Sequence, residues 1–208
     1  MDLQTYAKAV LCGSSSVGKT TIFSRILQKN LNTEFPSTMG ASFASVKVPF
    51  NDEEITVNLW DTAGQEEYRS LVNIYFRNSN IALIVFDLTN HESFDQVDEW
   101  IDEILANCGD SPPNFLIIGN KSDLIYDKKV TDEEINDYIE TIKCPYFEIS
   151  AKEGQNFGDL CKKIGELALN FLNETAEQKE KKKEKTNETF YNVSDLEVSG
   201  NVKSQNCC

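Results

Sequence analysis

The sequence predicts an α/β fold in three layers: a six-stranded mixed sheet with one antiparallel edge strand, flanked by about five helices. Three observations predict it. Short apolar runs alternate with amphipathic stretches from residue 6 to about 172. Two of those runs are separated only by Asn51-Asp52-Glu53, too short for a crossover, so they must pair as an antiparallel hairpin. Every other run is followed by a helical pattern, as in a wound parallel sheet.

Taken in order, the strands fall at 6–12, 41–50, 54–60, 81–87, 114–119 and 145–149. The first leads into Gly13-Ser14-Ser15-Ser16-Val17-Gly18-Lys19-Thr20 and then a helix through Leu27. Pro49 puts the second at an edge, because proline cannot donate to a ladder. A helix over 92–106 would bury Phe94, Val97, Ile101, Ile104 and Leu105 on one face. Thr131-Asp132-Glu133-Glu134 opens the next helix with a capping box. The last helix would bury Phe157, Leu160, Ile164, Leu167, Ala168 and Phe171, after which apolar periodicity stops. No repeat is present.

In such a sheet ligands sit beyond the carboxyl ends of the strands, and four short motifs fall there. Gly13–Thr20 matches G-x-x-x-x-G-K-[ST], whose backbone N–H groups and following helix N-terminus form an anion site. Lys19 would reach the β- and γ-phosphates of a nucleotide and the Thr20 hydroxyl would ligate Mg²⁺. The loop does not say which nucleotide. Trp60-Asp61-Thr62-Ala63-Gly64-Gln65-Glu66 ends a strand with an acid placed for Mg²⁺, followed by a glycine N–H able to meet a γ-phosphate. Asn120-Lys121-Ser122-Asp123 follows the strand Phe115–Gly119. A carboxylate there accepts from the ring N–H and exocyclic amine of guanine, a pair that adenine lacks. An acid buried for that purpose would reject the wrong base by roughly 10⁴-fold, since it would otherwise be left unpaired. Ser150-Ala151-Lys152, after Tyr146–Ile149, can offer backbone N–H groups to the base oxygen.

With these four motifs in this order, the chain resembles the Ras-superfamily small GTPases, and within them the Rab family, over residues 6 to about 172. Ser37–Phe43 is similar to the first switch and its Rab signature; Tyr68-Arg69-Ser70-Leu71 with Ile74-Tyr75-Phe76-Arg77 is similar to the second. The context of Ala41 and Phe43, with Leu88–Phe94, looks most like the early-endosomal branch. The resemblance implies a Ras-like P-loop domain over 1–172 that binds GTP and GDP with Mg²⁺. It implies that the loop from Ser15 and Ser16 through Val17, Gly18, Lys19, Thr20 and Thr21 binds phosphates, that Thr20 and Thr38 ligate the metal, and that Thr38 and Gly64 sense the γ-phosphate. Gln65 would orient the attacking water, and Asn120, Lys121, Asp123, Ser150, Ala151 and Lys152 would hold the base. Hydrolysis would be slow without an activating protein. An exchange factor, a dissociation inhibitor or escort protein, and effectors meeting Phe43, Trp60 and Tyr75 complete the implied partners of a monomer. Two positions depart from relatives: Ser15 stands where Ras has glycine, and Leu31 where a phenylalanine packs on the guanine. Phe35 can still shield the phosphates.

Composition sets the outer bounds. The formal net charge of −14 leaves no basic stripe for nucleic acid. No run approaches the roughly 18 apolar residues of a membrane span, and the amino terminus has no basic-then-apolar leader, which predicts a cytosolic chain whose sequons at Asn173, Asn187 and Asn192 stay bare. The cysteines at 12, 108, 144 and 161 have no zinc-type spacing and read as reduced. Residues 173–208 are polar and read as a disordered tail. Its terminal Cys207-Cys208 resembles the doubly geranylgeranylated Rab ending, and two lipid chains suffice for stable anchoring. The implied location is the cytoplasmic face of endosomal or other vesicular membranes, in exchange with the cytosol. Two alternatives to a hydrolysing traffic switch stay open at this point: a scaffold that holds nucleotide permanently, and an ATP-dependent phosphotransferase, against which Asp123 argues.

Overall fold

The computed structural model describes residues 6–28, 38, 40–51, 53–62, 74–109 and 111–194, with 178–194 as backbone alone. The elements are β1 (Ala7–Cys12), α1 (Lys19–Ile26), β2 (Ala41–Phe50), β3 (Glu53–Thr62), β4 (Ile81–Asp87), α2 (His91–Asp95), α3 (Val97–Asn107), β5 (Asn114–Asn120), α4 (Asp132–Ile142), β6 (Tyr146–Glu148) and α5 (Phe157–Ser194). Strand order across the sheet is β2-β3-β1-β4-β5-β6. Only β2 runs antiparallel, paired with β3 from Ala41↔Thr62 to Phe50↔Glu53. The edge position read from Pro49 and the hairpin read from its short connection are therefore both correct.

The central strands are apolar throughout because both faces are covered. In β4 all seven residues are buried. Alternate side chains enter different layers. Ala9 and Leu11, Leu83 and Val85, with Leu116 and Ile118, pack under α1 and α5 through Ile22, Phe23, Leu160, Ile164 and Ala168. Val10, Ala82, Ile84, Phe86 and Ile117 pack on the other face against Trp100, Ile104 and Ile135. Burying one such aliphatic or aromatic side chain is worth about 1.5–3 kcal/mol, so these two layers hold the sheet rigid. A rigid sheet fixes where the strand ends stand, and the site is made of those ends.

The Thr131–Glu134 capping box forms as read, each residue's side chain accepting from the other's backbone N–H. Two expectations need correction. The helix over 92–106 is broken at Gln96 into α2 and α3, and its buried face includes Trp100, 2% exposed, while Leu105 is 45% exposed. The apolar positions 97, 100 and 104 keep helical spacing within α3, and Leu105, one residue beyond Ile104, lies about 100° further round the helix, off that face. The last helix also does not end near Phe171; helical backbone continues to Ser194. Loss of an apolar stripe removes packing, not helix propensity, and Glu174–Lys185 is rich in Ala, Glu, Gln and Lys, all good helix formers. The sheet belongs to one compact unit, Gln4–Leu172. No described helix is long and apolar enough to cross a membrane.

Candidate active site

The loop after β1 turns into α1 at Gly18, whose φ of 101° lies in the left-handed region. A Cβ there would stand 2.2 Å from Asn120 Nδ2, so only glycine lets the loop pass this close to β5. No side chain caps the start of α1, which leaves its first N–H groups free to meet an anion. Ser15 and Ser16 are exposed at the loop apex, with Ser16 at φ 64°; Val17 turns inward and is buried, and Thr21 is half-buried on α1. The Ser14 hydroxyl donates to the Gln96 side chain at the break between α2 and α3.

Lys19 is buried and folds back over the loop, donating to the carbonyls of Gly13 (2.7 Å) and Ser14 (2.6 Å). Burial brings its ammonium down to about 8, against the pull of Asp61. Those two carbonyls fix the ammonium at the loop's centre. Thr20 lies next along α1. Its hydroxyl stands 2.9 Å from that of Thr38 and donates to Asp61 Oδ2 at 2.7 Å. Asp61, at the end of β3, is fully buried, and its Oδ1 has no hydrogen-bond partner among the described residues. Burial holds this carboxyl above the usual range, opposed by the Thr20 hydroxyl, Lys19 and Thr38. Two hydroxyls and a buried carboxylate with an unspent oxygen are hard donors, and they fit a small divalent cation such as Mg²⁺. The neighbouring Thr62 hydroxyl donates to Leu11 O at 2.6 Å and pins this strand end to β1.

The other half of the pocket is built from β5 and β6. Asn120 is buried; its Nδ2 donates to Val17 O at 2.8 Å and its Oδ1 accepts from Ala151 N at 3.0 Å. One side chain thus joins the loop of Lys19 to the loop of Ser150. Asp123 accepts from Ser150 Oγ at 2.6 Å through Oδ1, leaving Oδ2 for a ligand. It is half-buried rather than enclosed, so a bound purine must itself supply the rest of the cover. Lys121 sits at φ 69° with its ammonium 2.6 Å from Asp87 Oδ2.

Phe43, Trp60 and Tyr75 form a column on the outside of the hairpin, with ring centroids 4.8 Å and 5.1 Å apart; Phe43 is 52% exposed. Lys8 Nζ stands 5.6 Å over the Trp60 ring and donates to Arg77 O.

The structure therefore brings Lys19, Thr20, Thr38 and Asp61 together, and ties them through Asn120 to Ser150, Ala151, Lys152 and Asp123. Phe35, Gly64, Gln65, Leu31, Cys207 and Cys208 lie outside the described residues. Sequence reasoning missed Asp87, Gln96 and Arg25, the last of which donates to the carbonyls of Ala151 and Lys152. Asp87 had a usable signal, since it too ends a parallel strand; Gln96 and Arg25 had none.

A Ras family model matches residues 8–170. Among curated proteins, "GTP-binding protein yptV5" of Volvox carteri is 36% identical over 154 residues, 72% of this chain and 75% of that protein. "Ras-related protein Rab-27B" of Bos taurus is 33% identical over 187 residues, 85% of this chain and 86% of its own length.

Proposed function

We propose, from the premise that this chain belongs to the Ras family as a GTP-hydrolysing small GTPase of the Rab/Ypt type, that it is a membrane-traffic switch reading out GTP against GDP. The observation that carries the reading is the pair of hydrogen bonds made by Asn120, one to Val17 O and one from Ala151 N, which tie the phosphate loop to the base loop.

In that pocket the amides of residues 15–21 and the Lys19 ammonium hold the phosphates. Thr20, Thr38 and Asp61 would hold Mg²⁺, which would supply positive charge against the phosphates. Asp123 reads the purine and Lys121 lies over it. Gln65 orients water for in-line attack, and Phe35 screens the phosphates. Thr38 and the Gly64 N–H grip the γ-phosphate, so its loss releases two loops at once. Phe43, Trp60 and Tyr75 form the surface that effectors dock on in the GTP state. An exchange factor, an activating protein and a dissociation inhibitor or escort protein drive the cycle, which leaves unstimulated hydrolysis slow.

The proposed domain is residues 1–172 and the tail 173–208, ending in lipid-modified Cys207 and Cys208 that place the protein on the cytoplasmic face of vesicular membranes. Net acidity argues against nucleic acid as a partner.

Single-turnover hydrolysis by the full-length chain tests the reading. GTP should be bound and cleaved without competition from ATP, and Gln65→Leu should bind GTP yet cleave it at least about tenfold more slowly. Equal competition by ATP, or GTP retained uncleaved by the unaltered chain, would sink it.

A further inference from the structure

Arg25 lies in the last turn of α1, on the helix that begins with Lys19 and Thr20. Its Nε donates to Ala151 O and its Nη2 to Lys152 O. The guanidinium carbon also stands 5.7 Å over the Phe157 ring. Gly154, at φ 87°, gives it room: a Cβ there would come 2.8 Å from Nη1. A planar fork meeting two successive carbonyls fixes the orientation of both peptide planes, which a single donor could not do.

That orientation has a consequence on the opposite side. In a trans peptide the C=O of one residue and the N–H of the next point in opposite directions. The Ser150 carbonyl accepts from Gly154 N at 2.7 Å, and the Ala151 N–H on the other side meets Asn120 Oδ1. The Lys152 carbonyl faces Arg25, and the next N–H, that of Glu153, meets Ser150 Oγ at 2.9 Å. Between these two, the Ala151 carbonyl is held by Arg25, so the Lys152 N–H points away from the guanidinium. Among the described residues it has no acceptor. A donor aimed in this way is suited to the oxygen of an oxopurine.

We propose that Arg25 is a positioning residue for purine selection, holding the Ala151 and Lys152 carbonyls so that the Lys152 N–H is presented to O6 of a bound guanine. The inference rests on the guanine-nucleotide reading above and adds a second element to it. Asp123 selects the N1–H and amine edge, and Arg25, without touching the ligand, maintains selection at the oxygen.

The test uses the full-length chain and three diphosphates competing with a fluorescent GDP. Inosine diphosphate keeps O6 and lacks the amine; 2-aminopurine riboside diphosphate keeps the amine and lacks both O6 and the N1–H, so it binds weakly from the start and only its change on mutation is compared. Arg25→Ala should weaken GDP and inosine diphosphate alike, by about three- to tenfold, the worth of one hydrogen bond. The 2-aminopurine nucleotide should scarcely change, so its gap from GDP narrows by that factor. Arg25→Lys, with one donor in place of a fork, should fall between. Equal weakening of all three, or no change in any, overturns the proposal, the first because it is what mere loosening of the fold predicts. If the unaltered chain fails to prefer GDP to ADP, the guanine reading itself fails, and the role of Arg25 with it.

Discussion

The proposed phosphate end of the pocket is one unbroken run, Gly13–Thr20, that would meet its ligand with backbone amides and one buried ammonium. The base end is assembled from Arg25, Asp87, Asn120–Asp123 and Ser150–Gly154, and most of its contacts join residues far apart in the chain. The difference follows from what each recognises. A phosphate is a compact charge that any cluster of N–H groups at a helix start can hold. A purine edge has an ordered set of donors and acceptors, so its partners must be fixed in direction, and direction comes from tertiary bonds.

The largest expected effect lies at the base end. Asp123→Asn should reverse the preference from guanine to xanthine nucleotides, a change on the order of 10⁴-fold when the two diphosphates are compared in competition. Because the phosphate end is untouched, xanthosine diphosphate should bind about as GDP did; weak binding of both would mean that the ends are not separable. At the phosphate end Gly18→Ala forces a left-handed alanine against Asn120. Strain and overpacking together cost on the order of 3 kcal/mol, so affinity for every nucleotide should fall by about 10²-fold in calorimetry.

Asn120→Ala acts on both ends. It leaves Val17 O and Ala151 N without their shared partner, at about 1–3 kcal/mol for each buried group. Melting temperature and GDP affinity should drop together, and a loss of affinity without any loss of stability would show that Asn120 does not unite the two loops.

The smallest effect lies outside the pocket. His91 Nδ1 and Nε2 each stand 3.0 Å from a carboxylate, Asp95 and Glu134. The bond to Glu134, then that to Asp95, raises the imidazole above its ordinary value, and the same pairing with His91 brings Glu134 down to about 2. A raised histidine stabilises fully below the unfolded value of about 6.5, and its contribution fades as pH rises through the folded value. As the chain's one histidine, it can be followed by NMR. Its midpoint should lie above 6.5 and move down in Glu134→Gln, with nucleotide affinity unchanged.

What was legible in the sequence follows the same division. The phosphate loop, the capping box at Thr131 and the edge strand marked by Pro49 are local signals, each set by a few adjacent residues. The strands of the core were legible because burial on both faces leaves continuous apolar runs. The bonds of Arg25 to the loop after β6, and of Ser14 to Gln96, were not legible, since they span 126 and 82 residues and leave no periodicity. The break at Gln96 was hidden for a related reason: the apolar spacing on either side of it is nearly in phase. Asp123 is half-buried, because a motif specifies which group faces the ligand and not how much protein covers it.

Trp60 and Asp61 are neighbours on β3, and successive side chains of a strand emerge on opposite faces. The carboxylate therefore belongs to the interior chemistry and the indole to the outer column of rings, with one peptide unit between them. A shift of that strand end by the width of an atom cannot reach one without reaching the other. Under the proposed function, news of the occupant inside would have only a single residue to travel before it is written on the exterior.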